Sequence, residues 1–245
     1  MIEQTVEIAT KDGATTTFIA HPERGGPFPI ILFFMDAPAI REELRDMARR
    51  IAAVGYYVML PNLYYRKGVL ELADLPPLEP QAARARMFEL MGSITIPLVM
   101  DDADALLAYA DRDPAASPGK AGAIGYCMSG QYAINAAARH PERVACAASL
   151  YGVQLVTDAP DSPHLAAQKT PAELYFACAE HDDYAPLEMV QALDASLKDS
   201  RANAEVELYH GVHHGFAFPQ RAVYDRTAAE RHWERLFALF ARNLS

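Results

Sequence analysis

Three groups of reactive side chains punctuate the sequence: Cys127 in GYCMSG, Asp182 and Asp183 in AEHDDYAP, and His210, His213 and His214 in YHGVHHGF. A thiol, a carboxylate and an imidazole met in that order are the parts of a nucleophile, a group that orients a base, and the base itself. Together they could perform acyl transfer. Sulfur would attack a carbonyl carbon, and the acyl group would then pass to a water activated by the imidazole. Ser129 lies two residues beyond Cys127 and is the rival nucleophile. A nucleophile on a sharp strand-to-helix turn needs small residues two before and two after it. Gly125 and Ser129 supply them for Cys127, whereas Ser129 would be flanked by Cys127 and the bulky Gln131.

Each group also has a plainer reading. A free cysteine is most often a buried small hydrophobe, an aspartate ahead of Pro186 can cap a helix, and a histidine-rich run can be an exposed loop. Spacing alone does not separate Asp182 from Asp183, nor His210 and His213 from His214. A metal site fits less well: adjacent His213 and His214 do not converge readily on one ion, and the cysteines lack zinc spacing. No metal and no cofactor are expected.

Residues this far apart meet only if strand ends gather them. TVEIAT and TTTFIAH alternate around Asp12-Gly13 and predict an antiparallel hairpin. IILFFM, from Ile30 to Met35, is apolar at every position, as in a strand buried on both faces. Helical periodicity runs from Arg41 to Val54 with Gly55 just past it, and YYVMLP follows as a second buried strand, giving a βαβ unit. Residues 66–97 predict an insertion near the active site, either a lid or binding segment or just a surface loop: an irregular stretch from Arg66 to about Pro80 containing Pro76-Pro77, then a helix in QAARARMFELMG. A helix from about Leu98 to Asp111 comes next, with Pro97 in its first turn.

The alternation continues through strand AGAIG, a helix over 128–138, strands VACAASLY and AELYFAC, a helix over 187–198, strand AEVELYH and a last helix from about Thr227 to Arg242. All three reactive groups fall at carboxyl ends of strands, where open parallel sheets bind ligands. The expected fold is a single α/β domain over residues 1–245, a mostly parallel sheet with an N-terminal antiparallel hairpin and helices on both faces.

The formal net charge of −10, without any lysine- or arginine-rich run, disfavours binding to a phosphate backbone. MIEQTVEIATKDG lacks the basic start and apolar run of a signal peptide, and no segment approaches the roughly 20 apolar residues of a membrane span. A cytoplasmic protein with no membrane partner is expected. Cys146 and Cys178 sit in strand-like runs and read as buried hydrophobes in a reducing compartment.

The motifs resemble those of the dienelactone hydrolase family of α/β-hydrolases. GYCMSG is similar to the family's GYC-x-GG elbow, AEHDDYAP to its acid loop G-x-x-D-x-x-x-P, and HHGF to its histidine motif H-[GS]-F; YGVQL and PNLYYR also match. The resemblance implies an α/β-hydrolase fold with Cys127, Asp182 and His214 as the catalytic residues, and the backbone N–H groups of Met128 and Ala37 as the oxyanion hole. Asp36 stands where the family commonly has a glutamate that contacts the resting thiol, so it is the candidate to keep the thiol neutral until substrate binds; the other reading pairs it with Arg41. Arg84 falls where a substrate-binding arginine is expected, and Phe218 replaces a second one. Tyr64, Tyr65 and Phe88 add apolar surface, while Arg84 and Arg86 also read as a solvated helix face.

The implied activity is cysteine-dependent hydrolysis of activated carboxylic esters or enol lactones, of carboxymethylenebutenolidase type, through an acyl-enzyme. The partner is a small-molecule ester or lactone, with no nucleic acid and no obligate protein partner. Two other functions are compatible with the same residues: a hydrolase-fold protein that binds a small ligand without turnover, and a thiol redox sensor, although no resolving cysteine lies near Cys127 in sequence.

Overall fold

A computed structural model describes residues 1–76 and 78–244; Pro77, from the expected irregular stretch, and Ser245 lie outside the described residues. The backbone gathers into two compact units, residues 1–118 and 119–245.

In the first unit, β1 (Ile2–Thr10) and β2 (Gly13–His21) form the antiparallel hairpin, with Thr10 opposite Gly13, so that Lys11 and Asp12 make a two-residue turn. After β3 (Phe28–Phe34) come α1 (Glu42–Ala52) and β4 (Tyr57–Pro61). The strand order is β1-β2-β4-β3, with β3 parallel to β4 and β2 antiparallel to it. Ile30 to Phe34 and Tyr57 to Leu60 are fully buried, which explains their unbroken apolar sequences. Leu44, Met47, Ala48 and Ile51, spaced three and four apart, form the buried face of α1, which packs on β4 and β2. Glu42 and Glu43 in its first turn and Arg49 and Arg50 in its last oppose the helix dipole.

Beyond β4, short turns at Tyr65–Lys67 and Leu72–Asp74 lead to α2 (Pro80–Gly92) and α3 (Ile96–Ala110). The Thr95 side chain caps α3 by accepting from the Leu98 N–H at 3.4 Å. Only Leu90 of α2 is buried, so this helix is weakly anchored.

The second unit opens within β5 (Ala116–Tyr126) and continues through a 3₁₀ turn at Cys127–Ser129, α4 (Gly130–Arg139), β6 (Val144–Leu150), α5 (Pro163–Ala166), β7 (Glu173–His181), α6 (Leu187–Ser200), β8 (Ala204–His213) and α7 (Arg226–Asn243). The order is β5-β6-β7-β8, all parallel. Helix α4 packs on β6, α7 on β6 and β7, and α6 on β8. Two features differ from the sequence reading. A short helix, α5, interrupts the expected loop after β6, started by Pro163 at its first position. Strands β7 and β8 also run on to His181 and His213, taking in residues read as loop. Cys146 and Cys178 are buried in β6 and β7, and burial first of all pushes both thiols up to about 12. Among the described residues, no helix is long and apolar enough to cross a membrane.

Candidate active site

Strand β5 ends at Tyr126, and the chain turns at Cys127 with φ +54°, a left-handed conformation that residues bearing a β-carbon adopt at a cost of about 1–3 kcal/mol. The close approach that requires a small residue is explicit at Gly125: a Cβ there would stand 1.9 Å from the Ser129 carbonyl oxygen. Ser129 is fully buried, whereas Cys127 is partly accessible. Two further glycines tighten the turn and were not singled out in the sequence. A Cβ on Gly130 would meet Ser149 Oγ at 2.2 Å and Gly152 Cα at 2.7 Å, and one on Gly152 would meet Ser149 Oγ at 2.1 Å. Their signal was the glycine directly after Ser129 and the one in YGV. The Val153 N–H donates to the Cys127 carbonyl at 3.2 Å, and Gln131 Nε2 donates to that of Met128 at 2.9 Å, so the loop after β6 and the first turn of α4 brace the elbow.

Of the two acids, Asp182 is buried and meets an imidazole; Asp183 is exposed. Of the three histidines, His214 is the one it meets. Its Nδ1 stands 2.7 Å from Asp182 Oδ2, and since a carboxylate only accepts, Nδ1 carries the proton. Asp182 Oδ1 accepts from the N–H groups of Tyr184 and Ala185 at 2.9 and 3.1 Å, so the loop before α6 fixes the carboxylate. His210 and His213 are exposed: the first lies 3.3 Å from Glu180, and the second has its ring centre 5.0 Å from that of His181.

The His214 ring is mostly buried, with Tyr151 and Tyr184 edge-on to it at 5.0 and 5.1 Å between centres; neither tyrosine was assigned a place around the imidazole from sequence. Burial works to lower the proton affinity of His214. Hydrogen bonds that the ring gives to Asp182 and to the Cys127 sulfur, with the charges of both, outweigh it and raise the imidazole to about 9. The imidazole thus has the carboxylate on Nδ1 and also interacts with the Cys127 sulfur. Among the described residues, no group of three or more histidine, cysteine, aspartate or glutamate side chains is placed to hold a metal ion.

The aromatic residue after β8, Phe218, is fully buried, its ring 5.4 Å from Tyr126 and 6.1 Å from Tyr151, with the Arg221 guanidinium over it at 4.8 Å. In this structure it is core.

The remaining sequence candidates belong to the first unit. Asp36 is fully buried and receives both terminal nitrogens of Arg41, at 2.5 and 3.2 Å, and Arg41 also reaches Glu43 at 3.0 Å. Burial opposes the Arg41 charge, but the two carboxylates prevail and raise its proton affinity above the ordinary value. The pairing with Arg41 is therefore present. Ala37 is buried, and its carbonyl accepts from the Tyr64 hydroxyl at 2.9 Å; Tyr64 is fully buried. Tyr65 donates to Asp102 at 2.8 Å. Arg84 is exposed and lies over the half-buried Phe88 at 5.6 Å, while Arg86 pairs with Glu89 at 3.0 Å.

Residues 15–244 match the Dienelactone hydrolase family. A Synechocystis sp. protein named "Putative carboxymethylenebutenolidase" is 26% identical over 93% of this chain and 91% of its own length. A Methylorubrum extorquens protein of the same name is 27% identical over 96% of this chain and 79% of its own. The crystal structure titled "Putative Dienelactone Hydrolase" from Klebsiella pneumoniae superposes with a TM-score of 0.87 at 24% identity, covering 98% of both chains, which fixes the fold. The match over nearly the whole chain and the shared fold lead to one conclusion: the chain belongs to the dienelactone hydrolase family.

Proposed function

We propose that this member of the family hydrolyses activated carboxylic esters or enol lactones, in the manner of a carboxymethylenebutenolidase, through an acyl-enzyme on Cys127. The observation that carries the reading is the 2.7 Å hydrogen bond between His214 Nδ1 and Asp182, with the Cys127 sulfur acting on the same imidazole. An imidazole raised to about 9 holds its proton at neutral pH and so has one on Nε2 to give to a leaving group.

The thiolate adds to the acyl carbon, and the N–H of Met128, the residue after the nucleophile, is the donor assigned to the oxyanion. The bond from acyl carbon to leaving oxygen then breaks, and the leaving group takes the proton from Nε2 of His214. Water next adds to the thioester carbon and gives a proton to the neutral imidazole. The carbon–sulfur bond breaks, and thiolate and imidazolium are restored. Asp182 keeps the imidazole in the tautomer that presents Nε2. This reading assigns no step to Asp36, Tyr64 or Phe218. The redox alternative is disfavoured because the other two cysteines are buried and difficult to ionise.

The test is turnover of an enol lactone by two variants. Cys127→Ala should lose it, and Ser129→Ala should keep most of it. The reverse pattern would assign the chemistry to the serine.

A further inference from the structure

The meeting of Asp182 with His214 depends on a register that two regular parallel strands would not produce. Ala177, Cys178 and Ala179 of β7 face Glu207, Leu208 and Tyr209 of β8 in steady succession, but the next pair is His181 with His213. The chain advances two residues on β7 and four on β8. Continued without interruption, the register would set Gly211 opposite His181 and carry His214 two residues, about 7 Å, farther along and out of reach of Asp182. A bulge at residues 210–212 takes up the difference. Bulges are uncommon in parallel pairs, and next to active sites they re-aim side chains.

One side chain fastens this bulge. Glu180 stands on β7 two residues before Asp182, and its Oε2 accepts the N–H of Gly211 at 2.6 Å while Oε1 lies 3.3 Å from His210 Nδ1. Gly211 has φ +72° with open space where a Cβ would be, so it is the backbone conformation that calls for glycine there. The Gly211 N–H, and after it His210, lower the Glu180 carboxyl below the ordinary carboxylate value. Past the bulge the ladder resumes, with the His214 N–H donating to the His181 carbonyl at 3.3 Å.

We infer that Glu180 is a positioning residue: by pinning the bulge in β8 it sets the register that lets Asp182 and His214 meet. The inference rests on the proposed function for its catalytic consequence, though not for its geometry. The glutamate acts through the backbone of β8 and touches neither sulfur nor imidazole in the reaction.

The test compares Glu180→Ala, Glu180→Gln and Gly211→Ala with wild type and with His214→Ala, reading kcat and KM on an enol lactone and the hydrogen-bonded Nδ1 proton of His214 by NMR. Glu180→Ala is expected to lower kcat about tenfold, the scale of a displaced catalytic group, and to weaken or broaden the Nδ1 signal. KM should stay within about twofold. Glutamine keeps an acceptor oxygen for Gly211, so Glu180→Gln should recover most of both, while Gly211→Ala, which strains the same turn, should act like Glu180→Ala. Wild-type kcat and an unchanged Nδ1 proton in Glu180→Ala would overturn the inference, as would equal losses in the alanine and glutamine variants with that proton unmoved. If His214→Ala itself kept full turnover, the proposed function would fall, and the Nδ1 signal would still decide whether Glu180 holds the register.

Discussion

His214 receives opposing influences: burial disfavours its charge, while the Asp182 carboxylate and the Cys127 sulfur favour it and win, raising the imidazole to about 9. A folded-state value above the ordinary histidine value of about 6.5 means that folding favours the protonated ring. The associated stabilisation is fully present below about 6.5 and is lost as pH rises through about 9. Unfolding free energy should therefore decline across that interval, and Asp182→Asn should flatten the decline by removing the carboxylate that does most to raise the ring. Denaturant titrations at a series of pH values check this; an identical slope in both proteins would contradict it. The identity of the pair was only partly legible. Spacing left Asp183, His210 and His213 open, because a side chain's facing at a strand end depends on the register reached there, which the sequence of one strand does not specify.

At the scale of elements, the elbow between β5 and α4 is the feature most sharply written in the residues. The requirement for a small residue at Gly125 follows from the turn alone, and the structure gives its cause as the 1.9 Å clash that a Cβ would make with the Ser129 carbonyl. Gly125→Ala should destabilise the protein by about 3 kcal/mol or more, since backbone rather than a flexible side chain must give way. Turnover should fall with the thermal midpoint, although the nucleophile is untouched. A variant with wild-type stability and activity would show that the turn is not tight. Gly130 and Gly152 were harder to read, because their constraint comes from Ser149 on the neighbouring strand, a partner that only the packing of α4 on β6 reveals. The bulge in β8 was illegible for a similar reason. YHGVHHGF continues the strand pattern, and the two extra residues are visible only against β7.

For the molecule as a whole, alternating apolar runs and amphipathic stretches made the α/β class, the antiparallel hairpin and the parallel pairing of β5 to β8 legible from sequence. If sulfur is the nucleophile, as proposed, it also sets the substrate class. A thiolate leaves a tetrahedral adduct more readily than an ordinary alkoxide, so acylation proceeds only when the other leaving group is good. Hydrolysis should accordingly be fast for enol lactones and aryl esters and at least about 10²-fold slower for plain alkyl esters of the same acid, the scale at which interactions and chemistry specific to the transition state separate substrates. Equal rates would place the barrier elsewhere. The most direct test of the acyl-enzyme on Cys127 is the intact mass of the protein quenched during turnover of an activated ester. Wild type and Ser129→Ala should each gain the mass of one acyl group, and Cys127→Ala should gain none; an adduct that persists in Cys127→Ala and vanishes in Ser129→Ala would contradict the assignment of the nucleophile.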